Sequence, residues 1–272
     1  MMKPCSLVLA MLLACAGAAN AGAVPVADLP AVAPADIVII GEIHDNPTHH
    51  LTQAALVARW KPAAVVFEML DPAQAKGADG VDRTDANAMA AALQWQGSGW
   101  PEYSFYHPIF AGLGDAKIYG ASLDRATVRR AIGEGAAAVF GADAAQFGLA
   151  TPLPPPEQAA READQMAAHC NALPSEMLSG MVAAQRLRDA AFARTALIAL
   201  TETGGPVVVI TGSGHADKAR GIPEALAIAA PNTTVFSIGQ VEGDPDPDAR
   251  FDRWIITEPT PRDDPCAGFA KP

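Results

Sequence analysis

The sequence predicts an α/β fold: a mostly parallel sheet flanked by helices, with a helical subdomain inserted into it. Three observations predict it. Apolar, β-branched runs at Ile37–Ile40, Ala64–Phe67 and Val207–Ile210 are bounded by turn residues, the mark of strands buried on both faces. The first and last of these run straight into Gly-x-x-His, as Gly41–His44 and Gly212–His215. From about Val128 to Leu200 the apolar spacing is helical throughout, with Thr151–Pro156 as the interruption.

Taken in order, residues 1–21 read as a targeting segment, in which Lys3 is the only charge ahead of the apolar run Leu7–Ala14. Ala19-Asn20-Ala21 has the form of a secretory cleavage site, while Leu12-Leu13-Ala14-Cys15 is similar to a bacterial lipoprotein box with Cys15 as the lipidated residue. Either way the segment is too short for a retained membrane span. Residues 22–127 and 201–257 are assigned to the α/β domain, 128–200 to the helical subdomain, and 258–272 to a flexible, Pro-rich tail. After the first strand, Asn46 caps a helix with Pro47 at its first position. That helix runs to about Trp60 with Leu51, Ala54, Ala55 and Ala58 as its apolar face. The second strand ends in Glu68. A short helix around Gln74, a longer one over Ala86–Gln96 and a loop at Gly97–Pro101 lead to an aromatic cluster, Tyr103–Phe110. Ala116–Ser122 reads as a strand with Asp124-Arg125 at its end, Ile222–Ala230 as a helix, Thr234–Gly239 as a last central strand and Phe251–Ile256 as an edge strand.

Composition excludes some functions. The chain has 272 residues, a net charge of -11 and 6% aromatics. Nucleic-acid binding needs clustered Lys and Arg or stacking platforms, so no such partner is expected. Cys170 and Cys266 are the cysteines left after processing: one disulfide in an oxidising compartment, or two free thiols. The phosphate-loop, dinucleotide, zincin and nucleophile-elbow signatures are absent.

Open α/β sheets bind ligands beyond the carboxyl ends of their strands. Glu42, His44, Glu68 and His215 all follow buried strands, so they meet along one edge if those strands are parallel neighbours. Carboxylate and imidazole suit a divalent metal ion. Alternatively, Glu42 orients His44 as a general base near neutral pH. The plain alternative is hydrogen bonding within sheet-edge loops. His49 and His50 fall in a first helical turn, where neutral imidazole is favoured, and read equally well as exposed. Met181, Gln185, Arg188 and Phe192 share one helical face, turned to a polar cavity or to water, with Asp189 beside it.

A family resemblance follows from these motifs. Gly41-Glu42-Ile43-His44-Asp45-Asn46 with His49-His50, Phe67-Glu68-Met69, Gln74, Gly99-Trp100 through Tyr106-His107-Pro108-Ile109, Met181-x-x-x-Gln185-x-x-Arg188-Asp189 and Gly212-Ser213-Gly214-His215-Ala216 together resemble the ChaN family of haem-binding, iron-regulated bacterial lipoproteins. The paired strand ends are also similar to the wider erythromycin esterase and TraB/TIKI group, some of which are hydrolases or metal-dependent peptidases. The resemblance implies haem bound through a tyrosine, homodimers that bring two haems together, and a part in iron acquisition. It also tilts the N-terminus toward an exported, periplasmic or outer-membrane lipoprotein anchored at Cys15. A phenolate can ligate haem iron. Of Tyr103, Tyr106 and Tyr119, the candidate is Tyr106, beside His107 in a matched motif, with His44, His107 or His215 as substitutes. Gln185 completes the cofactor set, and Arg188 and Arg125 are placed to serve the propionates. The wider group implies the rival reading, a hydrolase in which Glu42 and His44 activate water or hold a divalent ion with Glu68 and His215. A third reading is an envelope binding protein with a relic site.

Overall fold

The computed structural model describes residues 23–244 and 250–269. The signal and lipidation readings on residues 1–21, Cys15 included, lie outside the described residues, as does most of the Asp-Pro stretch that begins at Asp244.

In chain order the elements are β1 (Ile37–Glu42), α1 (Pro47–Trp60), β2 (Ala64–Phe67), α2 (Pro72–Gly77), α3 (Ala86–Ala92), α4 (Tyr103–Ala111), β3 (Lys117–Gly120), α5 (Arg125–Glu134), α6 (Ala136–Phe140), α7 (Pro155–Ala168), α8 (Leu178–Thr203), β4 (Val207–Gly212), α9 (Ser213–Ala216), α10 (Ile222–Ala229), β5 (Val235–Glu242) and β6 (Arg253–Thr257). The six strands form one sheet in the order β3-β2-β4-β1-β5-β6. Every pairing is parallel. Parallel neighbours need a crossover rather than a hairpin, which is why helices separate nearly all the strands in sequence.

The chain first works outward from β1 to the β3 edge, then re-enters at β4 and works outward to β6. Right-handed crossovers running in opposite directions lay their helices on opposite faces. The core divides accordingly. Val38, Ile40, Val65, Phe67, Val208 and Ile210 pack with α1 and α4 on one face. Ile37, Ile39, Ala64, Val66, Val207 and Val209 pack with α5, α8 and α10 on the other. Both sets are essentially inaccessible to solvent, and cutting any one of the larger side chains back to alanine costs about 2–5 kcal/mol. β4 lies between β2 and β1, with Glu42 opposite Gly212 and Phe67 opposite Ile210. The connections leaving β1 and β4 part toward opposite faces, so the crevice above these two strands is the topological switch point of the sheet.

Two expectations need revising, and the expected helical insertion between β3 and β4 gains a detail. The apolar face assigned to α1 is its outer one: Leu51 is 58% exposed, and the helix buries His49, His50, Gln53, Leu56, Val57 and Trp60. The polar members can sit inside because they are bonded there; Gln53 Nε2, for example, donates to the Ile40 carbonyl at 3.2 Å. The helical insertion shares the sheet's core. Small residues of α8, among them Ala184, Ala190, Ala193 and Ala196, let that helix lie directly on the sheet. α7 packs outside it, with its buried Arg161 held by Glu157 at 2.7 Å and Glu224 at 2.9 Å. The segment from Glu258, expected as a loose tail, has two attachments. Arg262 bridges Asp45 at 2.8 Å and Glu242 at 2.6 Å, and Cys266 forms a disulfide with Cys170.

Candidate functional site

β1 delivers Glu42 at its last position, and the turn to α1 carries His44 two residues on. Asn46 caps α1 by accepting the Thr48 N–H at 2.9 Å, which fixes the turn. Glu68 follows β2, and His215 lies on α9, directly after β4. The two Gly-x-x-His units interlock. A Cβ on Gly41 would stand 2.8 Å from Ser213 Cα, and one on Gly212 would stand 3.0 Å from His44 Nε2. Each glycine therefore leaves room for the other unit.

Glu42, His44, Glu68 and His215 do come together. His44 Nδ1 donates to Glu42 Oε1 at 2.7 Å, and His44 Nε2 stands 4.0 Å from Glu68 Oε1. His215 Nε2 approaches the same Glu68 oxygen at 3.6 Å, while its Nδ1 donates to Asp189 Oδ1 at 2.6 Å. Arg188 pairs with Glu68 Oε1 from α8. The other oxygen of Glu68 accepts the Thr211 hydroxyl at 2.6 Å and the Gly212 N–H at 2.7 Å. Gln185 reaches the His215 ring at 3.0 Å. The edge of Trp100 packs on His44 with ring centroids 4.9 Å apart, and Phe192 does the same to His215 at 4.9 Å.

The electrostatics follow from burial and pairing. Burial works to raise both carboxyls. The imidazoles of His44 and His50 outweigh it at Glu42, and His215, Arg188 and His44 outweigh it at Glu68, so each is held down at about 2. Burial works to lower His44, but the bond to Glu42 and the charge of Glu68 carry it above its usual value. Burial raises Asp189, with His215 only partly offsetting it.

The remaining sequence candidates stand elsewhere. Tyr106 is wholly buried on α4 and donates its hydroxyl to Glu42 Oε1 at 2.8 Å. Burial and that neighbouring carboxylate push its phenol far up, so it supports Glu42 and does not present an oxygen to a ligand. Tyr119 donates to Glu202 at 2.6 Å. His107 packs against Tyr103, with ring centroids 5.7 Å apart, and its Nε2 is buried without a partner. Arg125 is exposed at the start of α5. His49 and His50 are buried. His49 accepts the Ile43 N–H and meets Thr257, both at 2.8 Å, and His50 donates to the His44 carbonyl at 2.8 Å. The four expected metal ligands bind one another and Arg188. Among the described residues no group of three or more His, Cys, Asp or Glu side chains is placed to hold a metal ion. Asp189, Thr211 and Trp100 were not singled out for the site. Asp189 gave a signal as an acidic residue beside the Gln185–Arg188 stripe, and Trp100 as part of the Gly99-Trp100 motif; Thr211 gave none.

Beyond Gln185, between α7, α8 and the ends of β5 and β6, opens a cavity of about 600 Å³. Val182, Val241, Phe251 and Trp254 give it apolar walls, and Arg186 and Arg220 line it too. Arg220 is paired with Glu157 and Asp164. Arg186 bonds to the carbonyls of Gly148 at 2.7 Å and Thr151 at 3.2 Å, and no carboxylate among the described residues pairs with it.

Fold and site define a doubly wound α/β protein whose buried carboxylates and imidazoles converge at the switch point, next to a ligand-sized cavity. The chain belongs to the family of haem-binding uptake proteins of the Tiki superfamily, ChaN, whose model matches residues 29–226. Among solved structures, that of cofacial heme binding to ChaN of Campylobacter jejuni is similar at 20% identity and a TM-score of 0.61, over 81% of this chain and 86% of that one. At this identity the likeness establishes the fold. The type III effector HopBA1 is similar at 11% identity and a TM-score of 0.47, over 83% of this chain and 88% of that one. An erythromycin esterase mutant in its open conformation follows at 13% identity and a TM-score of 0.38, over 76% and 70%. These two are too distant to bear on function. No curated protein sequence matches the chain significantly.

Proposed function

We propose that this protein captures haem in the cavity at the carboxyl edge of its sheet, as part of haem or iron acquisition in the cell envelope. The observation that carries the reading, in a chain of a haem-binding family, is the make-up of that cavity. Its volume, about 600 Å³, falls in the range of small-molecule sites. It pairs apolar walls with one guanidinium, Arg186, that no described carboxylate neutralises. Haem is a flat apolar body with anionic propionates. Val182, Val241, Phe251 and Trp254 would hold the body, and Arg186 would meet a propionate. The polar cluster around Glu68 is packed too tightly to admit so large a group; it buttresses Gln185, which stands in the cavity wall. The Cys170–Cys266 disulfide suits an oxidising compartment and, with the targeting segment, supports export.

Titration of the full chain with ferric haem tests the proposal. A Soret band that saturates near one haem per chain is expected. Gly214 lines the cavity, and a Cβ there meets nothing within 4 Å, so Gly214→Trp should fill the space and abolish the band without unfolding the protein. Absence of any spectral change in the unaltered chain ends the reading. The homodimer belongs to the same proposal. Size-exclusion chromatography of the haem-loaded protein should show a doubled mass, and a monomer would remove the dimer. Radiolabelled fatty acid should be incorporated in cells unless Cys15 is replaced; no label in the unaltered chain would leave signal cleavage as the route.

A further inference from the structure

We infer that the cavity recognises the porphyrin ring and its carboxylates rather than the iron, so that a metal-free porphyrin is as good a ligand as haem; the inference rests on the haem reading above. Proteins hold haem iron through histidine, cysteine, methionine or tyrosine. Among the described residues, none of these four types lines the cavity. The oxygen donors that do line it are already engaged. Asp164 pairs with Arg220. Asp217 accepts the Ala219 N–H at 2.6 Å through one oxygen and the Arg250 N–H at 3.1 Å through the other. Ser213 donates its hydroxyl to the Gln240 carbonyl at 2.8 Å. Gln165 and Gln185 are neutral amides, outside the usual haem-iron ligands.

Side chains of the right type are committed elsewhere. His49 is bonded through both nitrogens, and His50 is enclosed between the His44 carbonyl and Glu42. His44 is turned to Glu42 and Glu68, and His215 to Asp189 and Glu68. His107 belongs to α4, which packs on the opposite face of the sheet from α8. Tyr106 and Tyr119 donate to Glu42 and Glu202, and Cys170 is joined to Cys266. What the wall does offer is indifferent to the metal. Val182 and Val241, with Phe251 and Trp254 set edge to face at a centroid distance of 4.5 Å, present an apolar surface to a flat macrocycle. Arg186, bonded to the Gly148 and Thr151 carbonyls, keeps its charge for a ring carboxylate. A metal-free porphyrin has the same apolar body and the same carboxylates. Ring burial and one charge-assisted contact therefore carry the affinity, and a metal at the centre of the ring gains no bond from the cavity wall.

The experiment titrates the full chain in parallel with ferric haem and with metal-free protoporphyrin. Binding is followed by absorption and by quenching of tryptophan fluorescence, to which Trp254 in the cavity wall contributes. Recognition of the ring predicts two dissociation constants within about threefold of each other. Arg186→Gln, with circular dichroism to check folding, should weaken both ligands by a common factor of about tenfold. An affinity unchanged in a folded Arg186→Gln variant would remove the carboxylate contact from the inference. A side-chain bond to iron would instead leave the metal-free ring about tenfold or more behind haem. That result overturns the inference while the haem reading stands. If the unaltered chain takes up neither ligand, both fall together.

Discussion

Glu68 and Arg188, 120 residues apart in the chain, pair directly at the carboxyl edge of the sheet. The carboxylate is buried and the guanidinium partly exposed, so the pair ties α8 to the end of β2 across the switch point. Its loss should be felt as stability.

Glu68→Gln leaves Arg188 without a counter-charge and weakens the bonds from Thr211 and Gly212. Removing one partner of a buried pair costs about 3 kcal/mol. Urea denaturation should show this as a lower midpoint at unchanged slope. The double variant Glu68→Gln/Arg188→Met should recover part of the loss, and a double variant no better than the single one would show that the ion pair is not the main term.

Tyr106→Phe removes a hydrogen bond to a buried carboxylate, at a cost of about 1.5–3 kcal/mol. Because the hydroxyl faces Glu42 and no cavity, the haem Soret band should keep its position. A shifted or lost band would return Tyr106 to the role of iron ligand.

Asp189→Ala leaves His215 without the acceptor of its Nδ1 hydrogen. Nitrogen NMR of the imidazole should show a fixed Nδ1–H form in the unaltered protein and a mixture of tautomers in the variant. Identical spectra in both would mean that Asp189 does not orient the ring.

Burial brings His49 down to about 4, against about 6.5 in an unfolded chain. Between these values the unfolded state holds the proton and the folded state does not. Stability is therefore full above pH 6.5 and falls as pH drops toward 4, by about 2 kcal/mol after allowing for partial screening. Glu42 and Glu68, held at about 2, contribute stability above their ordinary range and lose it as pH falls from about 4.5 toward 2. His44, raised above its usual value, contributes below pH 6.5 and loses that contribution only on the alkaline side. Thermal melts from pH 8 to 3 should show the upper acid window flattened in His49→Gln and the lower one retained. An unchanged upper window would clear His49 of the effect.

The strands and the meeting of Glu42, His44, Glu68 and His215 were legible because β-branched runs, and what directly follows them, are local signals. The face of α1 was not: Leu51, Ala55 and Ala58 point outward, and His50 and Gln53 are buried because each finds a backbone carbonyl, a partner no helical spacing displays. Tyr106 sat in the right motif for the wrong reason, since only packing shows that its hydroxyl faces Glu42. The cavity escaped notice because Val182, Val241, Phe251 and Trp254 look like ordinary core residues until four elements leave a gap between them.

The placing of β4 has a consequence for how the molecule is made. Ile37 has Val207 beside it on one side and Val235 on the other, so β1 has no neighbour until the last third of the polypeptide exists. β2 likewise gains β1 as kin only through β4. A nascent chain halted ahead of Val207 has β1 on its own and the β2–β3 pair, without the strand that joins them, and pairings so distant along the backbone form slowly. Closure of the sheet therefore waits on the strand that arrives fourth, and the two halves of the sheet on either side of β4 can join only after it is made.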